Sequence, residues 1–502
     1  MLPEEMGFRK LFKAVDNFLR CCIVGLQECG CMSERRKRSS DGLLGGDIVR
    51  IVLFNSSTIT RRRDQIEVVE PHLKVGVASL ASFLREQDFD VSIIDPQVEG
   101  LNLEKTVKKI LSFNPDIVGF SPYTVEIMDA SMIAASIKNK RESVRTVVGG
   151  PHASALPVET LKEFKSFDMA VVGEGELTLK EIAEGKEPEE IKGLVYRKKD
   201  GSIELNPPRQ PLKPLDRLPY PAWDLYDLKK YGSDVSLPVE PLRGCPYSCI
   251  FCYRTLGRKV RYKSPSRIVD EIEYMMNNFG ISSFRFLAGT FPLSKKHAMK
   301  VFEEIIRRRL KIKWSASTRV DTLDQELLEM MKESGCEELQ IGVESGDPEI
   351  LSLCGKGIKP EDAERVFKLC KKVGIKAGAN FILGLPGETQ ETIQRTKLLA
   401  FKLLKYASGM NFAILVPYPG TNVYKMAAKG EGGLKIKSKD WRNYGKQAGL
   451  ALEHKNFKNG ELAKIQSKLY LATSLRYIYS NPSYLIKHFS WQRLIQLLGR
   501  FR

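Results

Sequence analysis

Apolar positions along this chain alternate between a strand period and a helix period, and the alternation occurs twice. Ile48-Val49-Arg50-Ile51-Val52-Leu53-Phe54 is a β-branched run ending in the loop signal Asn55-Ser56-Ser57. Val77, Leu80, Ala81 and Leu84 then repeat at helical spacing before the strand pattern Val91-Ser92-Ile93-Ile94. A helix over 103–113, the strand Ile117-Val118-Gly119-Phe120-Ser121, a helix over 128–138 and the strand Thr146-Val147-Val148 follow. Strands separated by helices predict a parallel, doubly wound α/β sheet over 48–190. Ligands of such sheets bind at the carboxyl ends of the strands. Those ends carry Ser56, Ser121, Gly149, Gly150 and Gly173, small residues that let a bulky planar ligand approach the backbone. There is no Gly-x-Gly-x-x-Gly or Gly-Lys-Ser/Thr loop. The region alone therefore reads as an α/β ligand-binding domain, with a response-regulator-like or flavin module as the plain alternative.

The second succession runs over 236–450. A strand before Arg243 is followed by Ser283-Phe284-Arg285-Phe286-Leu287, Ile312-Lys313-Trp314-Ser315-Ala316-Ser317, Leu339-Gln340-Ile341-Gly342-Val343, Ala379-Asn380-Phe381-Ile382-Leu383 and Met410-Asn411-Phe412-Ala413-Ile414-Leu415. Six strands joined by helices predict a partial β/α barrel, whose working groups sit at the strands' carboxyl ends. Between the two successions, Asn206-Pro207-Pro208 and Leu218-Pro219-Tyr220-Pro221 mark a Pro-rich connector over 191–235. In the 451–502 tail, Leu469, Tyr470 and Leu475, then Leu485, Trp491 and Leu494, predict two helices broken at Asn481-Pro482. At the other end, Phe8, Leu11, Phe12, Val15, Phe18 and Leu19 predict a short amphipathic helix, and Arg35-Arg36-Lys37-Arg38 a solvated linker, so 1–47 reads as an appendage.

Composition bounds what this architecture does. A length of 502 residues suits about two to four domains. Hydrophobic residues make up 42%, enough to fill cores, yet no run approaches the ~18 consecutive apolar residues of a membrane span. Ten cysteines, mostly in hydrophobic stretches or in one motif, imply a reducing compartment and a cytoplasmic location. The net charge of +18 is uneven: from Thr421 to Arg502 there are 16 Lys+Arg against 4 Asp+Glu, and no acid after Glu461. Such a tail suits peripheral contact with an anionic membrane, and with it a lipid-like substrate. A helical cap packed on the barrel with basic outer edges suits the same residues better. Nucleic acid is disfavoured as a partner, because basic charge without a recognisable binding module is weak grounds.

The chemistry concentrates in Arg243-Gly244-Cys245-Pro246-Tyr247-Ser248-Cys249-Ile250-Phe251-Cys252-Tyr253. Three soft thiolates within eight residues suit three irons of a 4Fe–4S cube and leave a fourth iron without a protein ligand. A structural zinc site wants four closed ligands, and no fourth Cys or His lies nearby. Three is also an odd number for disulfides. Cys21, Cys22, Cys29 and Cys31 have a spacing that fits no common metal site.

The order Gly149-Gly150-Pro151-His152-Ala153, Val172-Gly173-Glu174-Gly175-Glu176 and, 69 residues later, Cys245-x₃-Cys249-x₂-Cys252 resembles the cobalamin-binding-domain radical S-adenosylmethionine (SAM) enzymes. That group contains anaerobic magnesium-protoporphyrin ester cyclases and carbon methylases. The resemblance covers 48 to about 450 and implies a Rossmann-like cobalamin domain before a (β/α)6 radical SAM core. It assigns Cys245, Cys249 and Cys252 to the cluster, with Phe251 before the last Cys. Ala288, Gly289 and Thr290 fall where the methionine amino group is met, Arg319 where its carboxylate is, Glu344 and Ser345 at the ribose, and Gly384 and Val416-Pro417-Tyr418-Pro419-Gly420-Thr421 on the adenine side. Ser121, Gly149, Gly150, His152 and Gly173 fall at the corrinoid. The Asp-x-His-x-x-Gly loop of His-ligated cobalamin is absent; the nearest string is Glu70-Pro71-His72-Leu73-Lys74-Val75-Gly76, so the resemblance implies a His-off corrinoid. It further implies reductive cleavage of SAM to a 5′-deoxyadenosyl radical, a low-potential donor such as ferredoxin or flavodoxin, and methylation of an unactivated carbon. An oxidative cyclase and an iron–sulfur nucleic-acid-modifying enzyme are the alternatives. Relatives often carry Phe-x-Asp-Asp-x-Phe after the second barrel strand, whereas this chain reads Phe286-Leu287-Ala288-Gly289-Thr290-Phe291, so a relative's substrate does not transfer.

Overall fold

The computed structural model describes residues 48–55, 73–447 and 449–480, with side chains to 476. The N-terminal helix and its four cysteines, Ser56, His72 and the second tail helix lie outside the described residues. The first sheet has the order β2-β1-β3-β4-β5-β6-β7. Its strands are β1 (Arg50–Phe54), β2 (Asp90–Ile94), β3 (Ile117–Phe120), β4 (Arg145–Val148), β5 (Met169–Val171), β6 (Leu194–Arg197) and β7 (Ile203–Leu205). The first five are parallel, and β6 and β7 are antiparallel additions. The parallel strands are buried nearly throughout because helices cover both faces: α1 (Val75–Arg85) lies on one, α2 (Leu103–Ser112) and α3 (Ile127–Lys140) on the other. Chain order reverses beside β1, and the crevice this makes opens at the carboxyl ends of β1 and β3.

The connector expected over 191–235 is in part sheet. Lys198 N–H bonds Ser202 O at 2.8 Å, and Asp200 Oδ1 accepts from Ser202 N–H at 2.8 Å, closing a hairpin that pairs β6 with β7. Asp200-Gly201 makes the turn, and the Pro-rich sequence begins only after it. The rest of the connector, with Trp223 and Tyr226 buried, packs into the barrel's core.

The second sheet is six parallel strands in chain order: β8 (Leu237–Val239), β11 (Ser283–Phe286), β12 (Lys313–Arg319), β13 (Cys336–Glu344), β14 (Lys376–Leu383) and β15 (Gly409–Ile414), beside a short pair β9 (Leu242–Arg243) and β10 (Arg261–Tyr262). On β13, Leu339, Ile341 and Val343 are buried against the surrounding helices, while Glu338, Gln340 and Gly342 line the lumen. This period-two pattern gives the barrel an apolar outer wall and a polar inner one.

The described part of the tail is a cap. The last described helix, Glu461–Ser480, packs Leu462, Ile465, Leu469 and Tyr470 on the barrel core, and Tyr470 OH donates to Asn411 Oδ1 at 2.7 Å. These apolar residues follow the cap reading of the tail and pack against β15 rather than facing a membrane surface. Among the described residues no helix is long and apolar enough to cross a membrane.

Candidate active site

The cysteine loop leaves β9 through Gly244, whose φ of +94° and closeness to the Lys259 carbonyl admit no side chain. It is then held from three sides. Cys245 N–H bonds Gly257 O (3.1 Å), Ile250 N–H bonds Cys354 O (3.1 Å), and Val423 N–H bonds Ile250 O (3.1 Å). Ile250 and Phe251 press into a cluster formed by Ile350, Leu385, Leu415 and Val423. Gly420 and Gly289 stay small because a Cβ on the first would enter the Tyr253 ring and on the second would crowd Cys245.

Cys249 is buried, Cys245 half-buried and Cys252 open to the lumen. Among the described residues no three ligating groups surround a single ion. A cube takes one thiolate per iron, so three thiolates spread along one loop serve three of its irons. Desolvation, then neighbouring Cys249 and Cys245, push the Cys252 thiol up, a crowding of thiolates that bound irons relieve. Arg319 reaches Cys249 Sγ at 3.5 Å, stacks on the Tyr247 ring at 3.8 Å and is clamped by Asp321 at 2.8 Å.

Around the cysteines lies a cavity of about 730 Å³, lined by Phe251, Gly289, Thr290, Arg319, Glu344 and Lys356 among others. Glu344 ends β13 at a β-bulge with φ +67°, a conformation a Glu side chain disfavours and which turns it into the lumen. There it pairs with Lys356 at 2.6 Å, and Gly342 leaves the room this buried pair occupies.

The second cavity, about 650 Å³, is the crevice between the sheets. One wall is Ser121, Gly149, Gly150 and Gly173 at the ends of β3, β4 and β5, with Leu53, Val77 and Leu179 behind them. Gly150 has φ +78°, and a Cβ there would lie 2.8 Å from Ser121 Oγ, so the surface is flat by construction. The opposite wall is Pro238, Glu240, Arg243, Arg285 and Leu287 of the barrel. Ser236 and Arg285 line both cavities, which therefore adjoin. Lys74 closes one edge of the crevice through Glu126 (2.6 Å) and Ser121 O (3.2 Å); burial lowers its ammonium, against the raising effect of Glu126.

A charged seam holds the two walls in place. Arg243 Nε donates to Glu240 at 2.8 Å and its guanidinium forms ion pairs with Glu176 at 2.8 Å and Glu174 at 3.4 Å, while Arg261 pairs with Glu174. Glu174, Glu176, Arg243 and Arg261 of this seam are largely buried.

Several residues grouped with the site by sequence lie elsewhere. His152 is buried and does not line the crevice: its Nδ1 faces Thr124 Oγ1 at 3.3 Å, its ring meets Trp441 edge-on at 4.9 Å, and burial holds its imidazole at about 4. Ser345 is fully buried, accepting from Asp347 N–H at 3.1 Å and facing Thr396. Gly384 faces Leu462 and bonds Glu388, and Ala288 packs on the core instead of lining either cavity. The segments 384–388 and 416–423 buttress the cysteine loop from behind. Within them, burial pushes the Glu388 carboxyl up to about 8, against the lowering effect of the Gly384 and Leu385 N–H groups.

Sequence reasoning missed Arg285, Lys356 and Lys74. For Arg285 a signal existed: a charge between Phe284 and Phe286 on a strand must face the wall opposite its neighbours.

Three thiolates in a polar lumen thus adjoin a glycine-walled crevice, two sites side by side in one chain. The B12 binding domain profile matches residues 65–183 and the Radical SAM superfamily profile 239–400. An uncharacterized methyltransferase of Pyrococcus horikoshii is 36% identical over 450 residues, covering 88% of this chain and 94% of its own. An anaerobic magnesium-protoporphyrin IX monomethyl ester cyclase of Rubrivivax gelatinosus is 29% identical over 385 residues, 73% of this chain and 68% of its own. The radical SAM methyltransferase TsrM of Kitasatospora setae, solved with cobalamin and a 4Fe–4S cluster bound, superposes with a TM-score of 0.66 at 22% identity, over 80% of this chain and 82% of that one. The cobalamin-dependent SAM radical enzyme OxsB gives 0.68 at 20% identity, over 90% and 70%. The two superpositions show the fold. The chain belongs to the cobalamin-dependent radical SAM methyltransferase family, with a B12-binding domain followed by a radical SAM domain.

Proposed function

We propose that this enzyme methylates an unactivated carbon of a small molecule, and that Cys245, Cys249 and Cys252 hold its 4Fe–4S cluster. The observation that carries the reading is the junction at Ser236 and Arg285, where lumen and crevice meet. When bound, the cluster with SAM supplies a hydrogen-abstracting radical and the corrinoid supplies the methyl group. Glu344, turned inward by its bulge and paired with Lys356, is positioned to accept from the SAM ribose. Arg319 offers its guanidinium beside Cys249 to the methionine carboxylate. Thr290 and the Gly289 carbonyl take the amino group. Ser121, Gly149, Gly150 and Gly173 accept the flat face of the corrinoid, and the Glu174–Arg261 seam fixes the distance between the cavities. A low-potential ferredoxin or flavodoxin completes the system as reductant. Anaerobic turnover with methyl-labelled SAM and a small-molecule extract of the source cells tests the reading. A labelled product accompanied by S-adenosylhomocysteine is expected. 5′-Deoxyadenosine with an unlabelled product would instead support the oxidative cyclisation named in the Rubrivivax relative.

A further inference from the structure

Below the cysteines, the lumen carries a second set of polar groups that none of the roles above uses. Gln340 lies four residues before Glu344 on β13, about 13 Å deeper along the strand. Its Nε2 donates to Glu338 Oε1 (2.7 Å) and its Oε1 accepts from Asn380 Nδ2 (3.2 Å). Asn380 Oδ1 accepts from Asn411 Nδ2 (3.1 Å), and Asn411 is fixed by Tyr470 on the cap. Three carboxamides are thus held in orientation across three strands, and Gly378 leaves the room that the Gln340 amide occupies. Arg285 and Lys446 line the same cavity, Lys446 from beside the carboxyl end of β15, where its carbonyl accepts from Ile414 N–H at 2.8 Å. Arg285 stands in register with Ser315 on β12, and Ser315 with Glu338 on β13.

The ion pairing is uneven. Arg319 is matched by Asp321 and Lys356 by Glu344, and Arg254 donates to the Tyr247 carbonyl. Among the described residues, the Arg285 and Lys446 side chains have no hydrogen-bond or ion-pair partner. Two cations without partners therefore share the cavity with one carboxylate that no cation pairs, Glu338, inside a concave wall that focuses their field. An apolar ligand would leave these groups desolvated and unpaired, a cost of about 1–3 kcal/mol for each.

We infer that the lumen floor recognises a polar small molecule bearing a carboxylate or phosphate, with Arg285 and Lys446 meeting the anion and the Gln340–Asn380 amides its other polar groups. A lipid-like substrate does not fit this wall. The inference rests on the proposed function for the site's location, and it names the substrate class. Arg285 also lines the crevice, so it ties the anion to the junction where carbon and methyl group must meet.

Calorimetry of the anaerobically reconstituted enzyme with SAM present, using glutamate, glycerol 3-phosphate and 1-octanol as probes, tests it. At least one anion is expected to bind, and which one separates carboxylate from phosphate. Arg285→Gln and Lys446→Gln should each weaken that binding by at least about tenfold, with iron content unchanged. Arg285→Lys should recover part of the loss, and Gln340→Glu, which adds a negative charge to the floor, should weaken it as strongly. Octanol binding in place of both anions, or anion affinity indifferent to these variants, overturns the inference. Absence of methyl transfer from labelled SAM would instead strike the proposed function and leave the anion measurement intact.

Discussion

The lumen and the crevice are made by the same strand–helix alternation, yet their walls have opposite chemistry. In the barrel, alternate residues of each strand turn inward, so polar side chains such as Ser317, Gln340 and Glu344 fill the inner face while Leu339 and Ile341 fill the outer. In the crevice, ligand space opens beyond the strand ends, where Gly149, Gly150 and Gly173 present backbone and the apolar side chains behind them form a floor. A lumen wall of this kind binds by directed charge and hydrogen bonds; a crevice of this kind binds by shape. Substitutions should therefore fail in different ways on the two sides.

The largest expected effect belongs to the lumen. Replacing any one of Cys245, Cys249 or Cys252 with Ala should abolish the cluster's visible absorbance and lower 5′-deoxyadenosine formation to background, while corrinoid retention stays. Retained iron and turnover would break the assignment of the cysteine loop. Next comes Glu344→Gln, which leaves Lys356 buried without its partner and should lower stability by about 3 kcal/mol in denaturant unfolding, while loss of the proposed ribose acceptor weakens SAM binding. On the other side, Gly150→Val combines a disfavoured φ of +78° with a clash on Ser121, and should reduce corrinoid retained through gel filtration while SAM affinity changes little. If both ligands suffer alike, the two cavities are not the separate devices drawn here.

The smallest effect is a pH dependence. Glu388 holds its proton up to about pH 8 in the folded chain, against 4.5 for an ordinary glutamate. Between those values the folded state binds more protons than the unfolded, so this group's contribution makes stability fall as pH rises from about 4.5 to about 8 and then level off. Glu388→Gln, neutral throughout, should show a correspondingly flatter Tm across that window.

Much of this was legible because both sheets are built from long periodic segments. Runs such as Ile117–Phe120 and Leu339–Val343 admit only one type of element, and three cysteines at fixed spacing name their chemistry in any fold. What the pattern could not carry was direction. Ser345 and Gly384 follow strands that do end at the site, yet a turn of one residue sends Ser345 to Thr396 and Gly384 to Leu462. His152 sits two residues beyond the glycine wall, but α4 (Gly150–Ala155, the helix after β4) carries it underneath, against a tryptophan nearly 300 positions later. Contacts of that separation leave no local trace.

The seam of Glu174, Glu176, Arg243 and Arg261 also bears on how the molecule comes apart. Cutting the chain in the connector would strand two acids on one fragment and two bases on the other, each in a surface shaped to exclude water. Neither fragment then has a cheap isolated state, so described residues of both sheets should melt in one cooperative transition. A lineage that fused these two modules and buried such a seam could not easily divide them again.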